Sequence, residues 1–156
     1  FSASYSLSWA YKEIDGRLFY PKYDTRHSLM LDFEVNLGYG FSASAMWNYK
    51  TGNPFTQNMS FYDKYYFNDF YSQVSPFNNY KPYAILADKN LGRLPDYHRL
   101  DFNITKQFNY SFISGNISAS IMNVYNRKNL FYFKRETGEK IYMLPFMPSL
   151  SVKVQL

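Results

Sequence analysis

Side chains alternate in character along this chain. In residues 1–12, Phe1, Ala3, Tyr5, Leu7, Trp9 and Tyr11 take the odd positions, and Ser2, Ser4, Ser6, Ser8, Ala10 and Lys12 the even ones. Successive side chains of an extended strand point to opposite faces, so this spacing builds one apolar wall and one polar wall. A helix needs a repeat near 3.6 residues, and no segment shows one. The period of two recurs. Leu29, Leu31, Phe33, Val35, Leu37 and Tyr39 oppose Ser28, Met30, Asp32, Glu34 and Asn36. Phe41, Ala43, Ala45, Trp47 and Tyr49 oppose Ser42, Ser44, Met46, Asn48 and Lys50. Leu100, Phe102, Ile104 and Phe108 oppose Arg99, Asp101, Asn103, Thr105 and Gln107. Lys106 interrupts that apolar face near a strand end, where its stem can snorkel. Ile113, Ile117, Ala119 and Ile121 oppose Ser114, Asn116, Ser118 and Ser120, and the phase is lost near Asn123, as at a bulge. Phe146, Leu150, Val152, Val154 and Leu156 oppose Ser149, Ser151, Lys153 and Gln155. Six strands are predicted, at 1–12, 26–38, 40–52, 96–109, 112–134 and 139–156. No helical linker joins them, so the sheet is expected to be antiparallel and the fold all-β.

Soluble sandwiches and lipocalin-like barrels also alternate, with the apolar face on a closed core and charges outside. Here the polar face is Ser, Asn, Thr and Gln with few charges. Trp9, Tyr11, Trp47 and Tyr49 gather at strand ends, where a membrane barrel carries its aromatic girdles. These features predict an antiparallel transmembrane β-barrel segment. The mean hydropathy is that of a soluble protein, but only alternate residues of such strands meet lipid. No apolar run reaches the ~18 residues of a membrane helix. Without cysteine there are no disulfides or thiolate metal sites. The net charge of +5 comes from scattered cations, which argues against a nucleic-acid partner. The smallest barrels need roughly eight strands, so the chain alone is expected to form an open curved sheet. The missing initiator Met and signal peptide point the same way, to a fragment of a larger protein.

The connections differ in length. Residues 38–40 and 109–112 are short turns, 13–25 a medium loop, and 53–95 a very long irregular one. With a periplasmic C-terminus, strand parity puts 13–25, 53–95 and 135–138 outside the cell and the two short turns inside. The 53–95 loop is rich in rings, and Tyr62, Tyr65, Tyr66, Phe70, Tyr71 and Tyr80 are its candidate ligand-binding residues, platforms for a sugar, peptide or chelate. The alternative is that these rings pack on one another or on neighbouring loops. Lys64, Lys81, Lys89 and Arg93 nearly balance Asp63, Asp69 and Asp88, so a cationic trap is not expected. His27 and His98 are far apart and lack clustered carboxylates, so no metal or other cofactor is expected. Asp32 and Glu34 share a face at i,i+2, a spacing open to acid–base work. They read more simply as charges balanced by Lys50, Arg99 or Lys153. There is no nucleophile motif and no phosphate-binding glycine loop, so no enzymatic activity is expected.

Several segments carry a family resemblance. Arg93-Leu94-Pro95-Asp96-Tyr97-His98-Arg99-Leu100-Asp101 resembles the TonB-dependent receptors of the Bacteroidota and relatives. Tyr20-Pro21-Lys22-Tyr23-Asp24-Thr25-Arg26-His27 looks like that family's approach to a barrel strand, and Trp47-Asn48-Tyr49-Lys50-Thr51-Gly52-Asn53-Pro54 like the next strand and its exit. Asn123-Val124-Tyr125-Asn126-Arg127-Lys128-Asn129 and Pro145-Phe146-Met147-Pro148-Ser149-Leu150-Ser151 look like the last two strands. The pattern departs within 53–92, and at the terminus, where the family usually has Phe and this chain has Leu156. The resemblance implies that residues 1–156 are the C-terminal portion of an outer-membrane importer of a scarce nutrient, such as siderophore-iron, cobalamin, a glycan or a peptide. It implies as partners the outer-membrane lipid, a plug domain, the remaining barrel strands, the TonB complex and the barrel-assembly machinery. Leu150, Val152, Val154 and Leu156 would serve as the assembly signal. The competing expectations are another outer-membrane barrel, such as an adhesin, a porin-like protein or a lipid-handling enzyme, and a soluble carbohydrate-binding β-protein.

Overall fold

The computed structural model describes residues 1–62 and 83–155. Among the described residues the chain is all-β, without helix, around a main antiparallel sheet of six strands. Those strands are β1 (Ser2–Leu7), β4 (His27–Gly38), β5 (Phe41–Lys50), β10 (Tyr97–Tyr110), β11 (Ile113–Met122) and β14 (Met147–Gln155), in the spatial order β1-β4-β5-β10-β11-β14. Eight short strands form pairs at the loop end. These are β2 (Lys12–Ile14) with β3 (Arg17–Phe19), β6 (Pro54–Phe55) with β9 (Gly92–Arg93), β7 (Asn58–Tyr62) with β8 (Tyr83–Leu86), and β12 (Leu130–Phe133) with β13 (Lys140–Tyr142).

The register keeps the two faces separate across the whole sheet. Phe33, Ala45, Phe102, Ile121 and Pro148 form one continuous row, and Val35, Ala43, Ile104, Ala119 and Leu150 the next. On the other face Glu34, Ser44, Asn103, Ser120 and Ser149 align, followed by Asn36, Ser42, Thr105, Ser118 and Ser151. A slip of one residue at any pair would interleave the rows, so the alternation and the register specify each other.

Aromatic rings bound the apolar face at both ends. At the loop end Trp47 stacks on Tyr49 at 6.1 Å and lies 6.3 Å from His98. At the turn end Phe108 meets Tyr110 at 6.3 Å, near Phe41. From His98 to Phe108 β10 climbs about 33 Å at ~3.3 Å per residue. Lys106 places its ammonium over the Phe41 ring, 4.2 Å from the centroid, and donates to the Tyr39 carbonyl. Its charge thus leaves the apolar face at the turn, where Gly38, Tyr39 and Gly40 all have positive φ.

Three of the expected strands are shorter than the alternation suggests. The first ends at Leu7 because its edge changes partner: Ser8 N–H bonds the Arg26 carbonyl at 3.0 Å, but Ala10 N–H bonds the Asp24 carboxylate at 2.9 Å instead of a backbone oxygen. Trp9 and Tyr11 therefore lie past the strand, with Tyr11 against Tyr20 at 5.1 Å. The expected 112–134 strand ends at Met122, because Asn123 (φ 55°) and Asn126 (φ 52°) turn the chain out of the sheet, and residues 130–133 pair only with β13. The expected 139–156 strand divides in the same way into β13 and β14. Within its described residues the 53–95 connection is not irregular but carries two short ladders, β6·β9 and β7·β8.

Candidate functional site

The loop end is built on buried polar residues. Asp24, 1% exposed, accepts from Ala10 N–H and forms a salt bridge with Arg93. Arg93 also donates to the Gly52 carbonyl at 3.1 Å and lies over the Tyr20 ring, 5.2 Å from its centroid, with Arg26 at 5.1 Å on the same ring. Burial works against ionisation of Asp24 more than any other single influence. The Ala10 N–H and the charges of Arg93 and Arg26 together outweigh it and hold the carboxyl below its usual range. Asp96 is lowered chiefly by the Tyr49 hydroxyl, which donates to it at 2.7 Å, with Gly52 N–H adding a bond at 3.0 Å.

A second knot holds the β11–β12 connection. Asn123 is fully buried; its amide donates to the Arg127 and Leu144 carbonyls at 3.0 and 3.1 Å, and its oxygen accepts from Arg127 N–H at 3.0 Å. Asn129 binds both backbone groups of His98, accepting at 3.3 Å and donating at 2.9 Å. A third knot centres on Asn90, whose amide donates to the Tyr20 carbonyl at 2.7 Å while Thr56 bonds its backbone and side chain. The segments 20–27, 47–54, 93–101 and 123–129, far apart in sequence, thus lock together as the loop bases.

Above this lattice lie two adjoining concavities of about 890 and 640 Å³. The larger has an apolar wall including Phe55, Met59, Phe61, Phe131 and Phe133. Phe55 stacks on Phe133 at 5.2 Å, joining the long loop to the β12–β13 hairpin. The smaller is lined by Lys12, Lys22, Lys89 and Arg135 together with Phe19 and Tyr23. Lys22 and Arg135 line both. The charge balance of the long loop predicts no cationic trap. That balance was struck within one loop, whereas three of these four cations come from other loops.

Of the ring residues expected to bind ligand, Tyr62 stacks on Tyr83 at 5.8 Å, and Tyr65, Tyr66, Phe70, Tyr71 and Tyr80 lie outside the described residues. Leu150, Val152 and Val154 stand exposed on the apolar face of β14, and Leu156 is outside the described residues. His27 and His98 sit apart, each sharing a hydrogen bond with a tyrosine: Tyr5 at 2.8 Å and Tyr125 at 2.7 Å. Arg99 pairs with Asp101 at 2.7 Å. The residues missed by sequence reasoning are the cleft cations Lys12, Lys22 and Arg135. No protein-family model, curated protein or solved structure matches the chain.

Proposed function

We propose that the chain is part of an outer-membrane β-barrel of the TonB-dependent transporter type, which imports a scarce nutrient. In this reading the apolar face meets lipid, the polar face lines the lumen around a plug, and the loop end forms part of the outer vestibule. One observation carries it: a continuous apolar face, exposed on all six strands and bounded by rings at both ends. The roughly 33 Å of strand between those rings would, at a barrel's tilt of about 40°, match a lipid-facing band about 25 Å tall. The polar loop bases add support. They are made by the segments that resemble that family, and they brace long excursions on the side where such barrels carry them.

In this reading β1 and β14 pair with further strands, since open edges and a bare apolar face are not tolerated in a bilayer. The test is expression with and without detergent. The expected result is a β-rich species that needs detergent micelles, and that resists SDS until heated once the strands that pair with β1 and β14 are supplied. A monodisperse, folded protein in plain buffer defeats the membrane reading. A membrane barrel encoded without a plug domain defeats the transporter assignment alone.

A further inference from the structure

We infer that the paired concavities at the loop end form one binding cleft for an amphiphilic anion, a solute with an apolar or ring-bearing body and a carboxylate or phosphate group. The argument rests on the loops alone and holds whether or not the sheet lies in a membrane. The apolar wall comes from the long loop and the β12–β13 hairpin, which Phe55 and Phe133 hold together. The charged wall gathers Lys12 and Lys22 from the 12–25 segment, Lys89 from the long loop and Arg135 from the tip of the β12–β13 hairpin.

No Asp or Glu is among the described residues lining either part. Glu13, Asp88 and Glu136 adjoin three of these cations in sequence but line neither cavity. None of the four cations pairs with a carboxylate among the described residues; Lys12 and Lys89 instead lie over the Tyr23 and Phe19 rings, at 5.4 and 4.2 Å. A concave wall of one sign focuses its field into the cleft and raises the local concentration of counter-charge. Lys22 and Arg135, placed where the two parts meet, set the acid group beside the apolar floor rather than at a separate site. A saccharide without charge makes no use of this wall, and an inorganic anion makes no use of the rings.

The probe is 2-naphthoate, compared with the neutral 2-naphthamide and with inorganic phosphate, by equilibrium dialysis of the chain in detergent or in buffer, whichever keeps it folded. Saturable naphthoate binding is expected, at least about tenfold tighter than either comparison and weakening as salt rises. Lys22→Gln with Lys89→Gln is expected to weaken it about tenfold, and Phe131→Ala to weaken naphthoate while leaving phosphate unchanged. Lys153→Gln, on the polar face of β14, is the control for general charge and is expected to change nothing. Displacement by short-chain phosphatidic acid assigns the anion to a lipid headgroup, and displacement by soluble acids alone assigns it to a free solute; both support the cleft. Equal binding of naphthoate and naphthamide overturns the proposal. So does phosphate binding as tightly as naphthoate, or a Lys22→Gln/Lys89→Gln protein that binds as the parent does.

Discussion

Replacing Asp24 by Asn tests whether the loop end is held by charge or by shape. The amide keeps an oxygen for Ala10 N–H and nearly the same volume, but it removes the ion pair with Arg93. The Asp24 side chain is fully buried and that of Arg93 is 26% exposed. Removing one member of a buried pair costs about 3–5 kcal/mol. Because the guanidinium keeps some access to water, the low end, about 3 kcal/mol, is expected. At about 1.4 kcal/mol per tenfold, that predicts roughly a hundredfold faster amide exchange at Ala10 and at Leu94, whose N–H bonds the Asn53 carbonyl at 3.0 Å.

The cycle Asp24→Asn, Arg93→Gln and both together isolates the pair, and the double variant is expected to lose about 2 kcal/mol less than the sum. The pH response has a definite sign. The folded carboxyl is depressed, so the clasp is fully stabilising above the ordinary carboxylate pKa of about 3.9 and is lost as pH falls through the lower folded value. Melting temperature measured between about pH 5 and pH 2 should show that acid loss in the parent and a smaller one in Asp24→Asn, with Asp96 supplying the remainder. Additive single variants, within about 0.5 kcal/mol, or an undiminished acid loss in Asp24→Asn, would refute the clasp.

Other perturbations separate the faces and the knots. Leu150→Arg, mid-height on the apolar face and 71% exposed, should cost about 2–4 kcal/mol in a bilayer, and its neighbour Ser151→Arg on the polar face well under 1. Urea unfolding in liposomes reads the difference, and equal costs count against a lipid-facing surface. Asn123→Ala strands the Arg127 N–H and two carbonyls, and about 3 kcal/mol is expected from those lost bonds. The loss should appear as faster exchange across β12 and β13 before the main sheet is affected. Gly52→Ala would put a Cβ 1.5 Å from the Leu94 carbonyl oxygen, so the strand exits must separate, at about 4 kcal/mol. Protease cleavage near residue 94 at a concentration that spares the parent is the readout.

The six strands of the main sheet, their antiparallel pairing and both faces were legible because a half-buried sheet writes a period of two into sequence and its register cannot slip without mixing faces. Strand ends were not legible, because they are set by single polar side chains standing in for backbone. Asp24 accepts the bond that a strand carbonyl would take from Ala10, and Asn123 turns the chain by adopting a positive φ that its own hydrogen bonds support. Nothing in the local pattern distinguishes these from any exposed Asp or Asn. The cleft was illegible for a different reason. Lys12, Lys22, Lys89 and Arg135 each look like an ordinary surface cation, and only the convergence of three loops makes them a wall. Charge that nearly balances within the long loop is left unbalanced at the cleft, where cations from several loops meet.

Burial in this molecule is inverted, and the inversion bears on what surrounds it. Among the described residues Leu130, at 9% exposed, is the only hydrophobic side chain in a core, whereas Asp24, Asn90, Asn123 and Asn129 are all buried. Large apolar side chains stand open on every strand of the sheet. A soluble monomer rarely tolerates a contiguous apolar patch beyond a few hundred Å². The hydrophobic free energy that fixes most folds is therefore still to be gained by this sheet, from lipid in the proposed reading. The loop end does not wait for it. Its buried amides and carboxylates are hydrogen-bonded within the chain, which is the condition under which buried polar groups stabilise a fold. The two halves of the molecule thus answer to different physics. Detergent or lipid should govern whether the sheet is stable, and the Asp24, Asn90 and Asn123 knots should govern whether the cleft keeps its shape.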